Sequence, residues 1–291
     1  MKKLFLIILA VFSFWRVSYA LDWRLLHEKA DAINLAEAKK IVNADINSVE
    51  KLYILGLVYL NLHQDKEAGE VFEKIIGLDR KIIEAKWGIA EVLRRGHKSQ
   101  ESVGMLEAII SDNPSFAPAY ISLAYIRYRQ MNFNQSVKLA VKVIEQGREN
   151  VDLSNYVRAI LIVSGSKGMI AHYGGPLSKI INGTAVFPAL KKAEKLKPDD
   201  AAVLFGIGSF YLLAPPLAGG NPDRAEDYLK KAIKADPLFA DVYVRLGQFY
   251  KLKGNNDKYN FYLNKALQID PQNDLALDIK NNSCKFICLG N

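Results

Sequence analysis

The sequence predicts an all-α array of repeated antiparallel helix pairs, wound as a right-handed superhelix. Three observations predict it. A pattern recurs every 34 residues, with small residues at fixed offsets. Large apolar residues fall between those offsets at helical spacing. Half of the 291 residues are hydrophobic and 24% are charged, which suits a folded chain.

The N-terminus comes first. Lys2 and Lys3 precede an apolar run from Leu4 to Trp15, and Ser18-Tyr19-Ala20 follows with small residues at a cleavage site. This layout predicts a signal peptide over 1–20, cleaved after Ala20. A run of twelve residues is short of the roughly 20 that span a bilayer. Leu21, not Cys, directly follows the site, which argues against a lipoprotein. The formal charge is +8; removal of Lys2, Lys3 and Arg16 leaves +5. The basic residues are scattered among acids, so no nucleic-acid partner is expected. No later run reaches membrane length, so no transmembrane segment is expected after signal removal.

Residues 21–48 read as a capping helical hairpin, with Trp23, Leu25, Leu26, Ala30, Ile33, Ala38 and Ile41 as its apolar side. The repeat array spans 49–271. Leu55-Gly56, Tyr59, Ala68 and Phe72 set the first register. Ile89-Ala90, Leu93, Ser102 and Leu106 follow 34 residues on, then Leu123-Ala124, Ser136 and Ala140. Ile207-Gly208, Tyr211, Ala225 and Leu229 follow with five extra residues, then Leu246-Gly247, Tyr250, Leu263 and Ala266. Gly56, Ala90, Ala124, Gly208 and Gly247 are small where paired helices touch. Pro114, Pro198, Pro237 and Pro271 close units, because proline cannot continue a helix interior. Residues 272–291 read as a closing helix, with Leu275, Leu277 and Ile279, and a tail. Cys284 and Cys288 lie in that tail. Four apart on an intact helix, they could not bridge, so either the tail is not helical there, or they stay free or pair between chains.

This register resembles the tetratricopeptide repeat (TPR). One unit cannot bury its apolar face alone, so stacked units make the core. The resemblance implies that the first helix of each unit faces a concave groove. That face would hold Tyr53, Leu57, Leu60 and Trp87, then Glu91, Arg94, Arg95 and Ile121. Tyr125, Tyr128, Arg129, Phe205, Leu212 and Leu213 continue it. Aromatics beside arginines suit a peptide, or a ligand with an apolar body and an anionic end.

Two units break the pattern between their helices. The fourth predicts a first helix from about Leu153 to Ala171, then a long loop over 172–186 that begins His172-Tyr173-Gly174-Gly175-Pro176. The fifth carries a loop at 214–222 that includes Pro215, Pro216, Leu217, Gly219 and Gly220, with Asn221-Pro222 as a helix start. Units four and five are neighbours, so the two loops are expected to form one binding surface. The Gly219-Gly220-Asn221-Pro222 loop and the helix after it resemble the periplasmic TPR component associated with tripartite ATP-independent (TRAP) transporters. That family implies an exported helical solenoid, a protein partner and a hydrophobic cavity.

The residues suggest no catalytic arrangement, cofactor or metal site. His27, His63, His97 and His172 lack metal-ligand spacing. Ser164-Gly165-Ser166-Lys167-Gly168 lacks the phosphate-loop context. The expectation is a non-catalytic envelope-exported scaffold, periplasmic or secreted, that docks another exported protein or peptide. The alternative is a carrier of an apolar or amphipathic small ligand in a TRAP-type system.

Overall fold

The structure, a computed structural model, describes residues 21–287 and 289. The expected signal peptide, Cys288 and the final two residues lie outside these. The described residues hold helices, turns and no strand. α1 (Trp23–Ala32) and α2 (Leu35–Asn43) form the leading hairpin. Asn34 and Glu37 close a reciprocal capping box at the start of α2, which fixes the turn between them. Leu25 is exposed, so it leaves the apolar side assigned to this hairpin.

Three regular pairs follow: α3 (Val49–Asn61) with α4 (Asp65–Leu78), α5 (Ile83–Arg95) with α6 (Ser99–Asp112), and α7 (Ala117–Arg129) with α8 (Phe133–Glu145). His63, His97 and Met131 sit at the same point of the three intra-pair turns, and each has left-handed backbone with φ near 60°. Non-glycine residues adopt that conformation rarely. Its recurrence shows that the helix-pair geometry imposes the same turn in each of these three units. Ser102 and Ser136, also 34 apart, each donate a buried hydroxyl hydrogen bond to the first helix of the pair, to the Ala90 and Ala124 carbonyls.

The fourth unit pairs α9 (Leu153–Tyr173) with α11 (Val186–Leu196), and between them lies α10 (Pro176–Gly183). The long loop expected over 172–186 is therefore mostly helix, and α9 runs two residues past Ala171. Pro176 at the first helical position and the spacing of Leu177, Ile180 and Ile181 favour that helix. No side chain caps it. The fifth unit pairs α12 (Ala201–Leu213) with α13 (Pro222–Ala235). Residues 214–221 between them stay a loop around a 3-10 turn at Pro216–Ala218. Gly219 has φ 97°, and a Cβ on Gly220 would lie 1.8 Å from the Ala214 carbonyl oxygen, so both positions need glycine. Asn221 caps α13 as expected, accepting from the Arg224 amide at 3.1 Å. α14 (Ala240–Leu252) and α15 (Asn256–Ile269) make the sixth unit, and α16 (Asp274–Lys280) closes it.

The core runs through the stack. Phe72 is fully buried, and a Cβ on Gly56 or Gly88 would come within 2.5 Å of its ring. At Gly208 a Cβ would meet Leu229 at 2.8 Å. At Gly247 the nearest atom would be 3.4 Å away, so the tight fit expected there is absent. Beyond α16, Asn282, Cys284 and Ile287 have positive φ, so the tail is a turn rather than a helix. Cys284 is disulfide-bonded.

Candidate functional site

The first helices of all six units turn one side inward around a cavity of about 1000 Å³. Leu57 and Leu60 of α3, Trp87 of α5, Ile121 of α7, Leu161 of α9 and Phe205 of α12 give it apolar walls. Arg245 of α14 and Phe286 of the tail complete the ring. The second helices α4, α6, α8, α13 and α15 contribute no lining residue.

Polar contacts between distant repeats close this ring. His63, after α3, meets Asp236, after α13, at 2.9 Å. His97, after α5, meets Asp270, after α15, at 2.9 Å. Arg129 of α7 reaches Asp274 at 3.0 Å and Asp241 at 3.5 Å. The array has thus come round far enough for its early turns to touch its late ones. At the first contact His63 bridges two groups: its Nε2 lies 2.9 Å from the Asp236 carboxylate and its Nδ1 lies 3.1 Å from the Arg95 guanidinium. Burial would raise the Asp236 carboxyl; the His63 hydrogen bond and charge outweigh it and hold the group below its ordinary range.

A polar ladder runs down one wall. Trp87 Nε1 donates to Ser122 Oγ at 3.1 Å, and Ser122 donates to Glu91 at 2.7 Å. Arg94 holds Glu91 with two hydrogen bonds at 2.6 and 2.9 Å. Burial would raise the Glu91 carboxyl, but the Arg94 charge and hydrogen bonds outweigh it and bring it down to about 2. Tyr125 lies between two guanidinium groups, Arg94 at 4.6 Å and Arg129 at 5.9 Å from its ring centre. Burial raises the Tyr125 and Tyr128 hydroxyls, so both stay neutral. His27 is held neutral by burial and bonded to the Tyr53 hydroxyl at 2.9 Å.

The charges on the wall do not balance. Each lining carboxylate is engaged by a basic group: Asp31 and Asp200 by Lys197, Glu91 by Arg94, Asp236 by His63 and Asp241 by Arg129. Among the described residues, the lining cations Arg158, Lys179 and Arg245 have no carboxylate at ion-pair distance. Arg158 of α9 is exposed and lines this space, and Ser209 Oγ on the neighbouring α12 is buried without a hydrogen-bond partner.

Most of the expected groove residues line the cavity: Leu57, Trp87, Glu91, Arg94, Arg95, Ile121, Tyr125, Tyr128, Arg129 and Phe205. Tyr53 and Leu212 do not, because both are packed inside the wall. Of the residues expected to bind on the two inserted segments, His172 and Pro215 reach the cavity; Lys179, Gly183, Ala214 and Ala218 of the same segments line it as well. Tyr173 turns away: its hydroxyl donates to the Lys285 carbonyl at 2.7 Å and its ring stacks with Phe133. Gly174, Gly175, Pro216, Leu217, Gly219 and Gly220 lie outside the lining, with Leu217 fully exposed.

Sequence reasoning missed the closing contacts. Asp236-Pro237 and Asp270-Pro271 read as turn punctuation alone. A signal was present: His63 and His97 are one period apart, and so are Asp236 and Asp270. Arg158 and Arg245 carried no distinguishing mark.

A family model described as tetratricopeptide repeat matches residues 52–82 and 240–273, within the first and sixth units. No curated protein matches the sequence. Among solved structures, the chain is similar to a tetratricopeptide repeat protein from Parabacteroides merdae, at 14% identity and TM-score 0.53, over 89% of this chain and 98% of that one. It is similar to an IFIT1 monomeric mutant with Gppp-AAAA, at 17% and 0.59, over 90% of this chain and 60% of that one. It is also similar to the APC/C hetero-tetramer Cut9-Hcn1, at 16% and 0.56, over 89% of this chain and 47% of that one. The chain spans about half to three fifths of the length of those last two, and all three likenesses concern the fold. Such a fold is consistent with a scaffold for protein–protein interaction. The chain carries tetratricopeptide repeats and is an all-helical solenoid.

Proposed function

We propose that the chain is a non-catalytic binding protein that holds one amphipathic small molecule with an anionic end in the lumen that its repeats surround. The observation that carries this is the cavity itself. An open concave groove would suit a docked helix or a long peptide; here the contacts between early and late repeats wrap that face round a space of about 1000 Å³. Small-molecule sites run from roughly 300 to 1,000 Å³ and combine apolar walls with a few placed polar groups. The unpaired lining cations supply the electrostatic preference. We place the protein in the bacterial envelope on the N-terminal layout of the sequence. The double-glycine loop and the helix after it support a role as the ligand-carrying accessory of a TRAP-type transport system.

The test is titration of the purified protein with dansyl-labelled undecanoic acid. The expected result is saturable binding of one probe per chain, with a Ser209→Trp variant that fills the lumen losing it. Arg158→Glu should weaken it about tenfold, roughly 1.4 kcal/mol. No saturable binding, or binding indifferent to both substitutions, rejects the reading.

A second reading, docking of another exported protein, rests on α10. It packs chiefly on α9, and Leu177, Ile180 and Ile181 are each at least 60% exposed. Contiguous exposed apolar residues mark interaction surfaces.

A further inference from the structure

The tail after α16 sits in the wall like a bound peptide. Side chains hold its main chain at five points. The Asp278 carboxylate accepts from the Lys285 and Phe286 amides, each at 2.9 Å. Tyr173 donates to the Lys285 carbonyl at 2.7 Å. Arg245 donates to the Phe286 carbonyl at 3.2 Å, and Gln248 to the Ile287 carbonyl at 2.9 Å. The Phe286 ring, 4% exposed, stacks on Tyr128 at 5.9 Å, with the Arg129 guanidinium 5.0 Å from its centre.

This arrangement is costly if its only role is to pin the segment after α16. Arg245, Asp278 and Gln248 are all at least 95% buried. Arg245 Nε has no hydrogen-bond partner, although the Nη atoms bond to neutral oxygens. Burying charged groups is unfavourable unless their hydrogen bonds are met. A main chain read by side chains, with one aromatic ring in a pocket, is how a peptide site achieves affinity and specificity together. The same pocket also forms part of the lumen wall through Phe286 and Ile287.

We propose that this corner is a peptide-recognition site, filled in cis by residues 285–287, and that a partner protein's turn carrying an aromatic residue followed by an aliphatic one takes the same place. The partner's ring replaces Phe286 between Tyr128 and Arg129, and its carbonyls replace those held by Arg245 and Gln248. The proposal does not rest on the lumen holding an amphipathic molecule, since the hydrogen bonds to the main chain of residues 285–287 carry it.

The experiment uses a fluorescent synthetic peptide of residues 282–291, oxidised, titrated by anisotropy. One partner is the full chain; the other is a chain ending at Ser283. The expected result is one-to-one binding to the shortened chain, at least tenfold tighter than to the full chain. A peptide with Phe286→Ala should bind at least tenfold more weakly. The full-length Phe286→Ser variant, with its own tail weakened, serves as a second acceptor. Equal binding to all chains, or none to a shortened chain that retains its helical circular dichroism, overturns the proposal. Unfolding of both the shortened and the Phe286→Ser chains also overturns it, because the tail is then an integral part of the fold rather than a replaceable ligand.

Discussion

Phe72 is the residue through which the stack is most tightly specified. Its ring fills the gap between α3 and α5 only because Gly56 and Gly88 face it without side chains. Gly56→Leu is expected to destabilise by about 1–3 kcal/mol, since overpacking forces backbone shifts. Gly104, mid-α6 and exposed, has nothing within 4 Å of a Cβ, so Gly104→Ala should stabilise by up to about 1 kcal/mol through helix propensity. Urea melts of both variants check this, and the opposite ordering would mean that the register is wrong. Glu91 gives a pH signature. Its folded carboxyl titrates at about 2, below the ordinary 4.5, so its contribution is fully present above about pH 4.5 and fades as pH falls toward 2. Glu91→Gln should therefore cost about 2–3 kcal/mol at pH 7 and little at pH 2, read from melts at the two pH values. The period exposed Gly56 in the sequence but not Gly88, whose role depends on a ring contributed from the preceding unit.

The most informative departure among the elements is α10. In the sequence its residues suggest a loop, because Gly174-Gly175-Pro176 breaks the chain and no capping side chain announces a helix. The glycines do end α9, yet Pro176 starts a new helix at once, and the apolar spacing behind it was the available signal. By contrast α3 to α8 and α12 to α15 were legible, because small residues at 34-residue spacing report close helix contacts directly. α10 has no buried residue and packs chiefly on α9. Replacing Leu177, Ile180 and Ile181 together with Ser, Lys and Glu should leave the thermal midpoint within about 2 °C, because surface changes usually stay within 0.5 kcal/mol. The same variant should lose capture of an envelope partner if α10 docks one. Pull-down beside a thermal melt checks both, and unchanged capture would remove α10 as a docking surface.

At the scale of the whole molecule, stacking was legible and closure was not. The repeat fixes how each unit sits on the next, and small rotations per unit accumulate into curvature. Whether the curve returns to its start depends on their sum, which no local motif displays. The groove residues are therefore legible in the sequence, while the ring that brings them round one lumen is not. Closure rests on His63–Asp236, His97–Asp270 and Arg129 with Asp241 and Asp274. Partly exposed pairs contribute about 0.2–1 kcal/mol each. A double-mutant cycle of His97→Ala and Asp270→Ala should give a coupling in that range, and zero coupling would mean that they do not meet in solution. The most direct measurement is intrachain cross-linking of the double variant His97→Cys/Asp270→Cys with a short bis-maleimide, mapped by peptide mass spectrometry on monomeric protein. A closed lumen predicts a cross-link joining positions 97 and 270 within one chain. Both cysteines modified singly and unlinked would mean that the array is open, and would contradict the account.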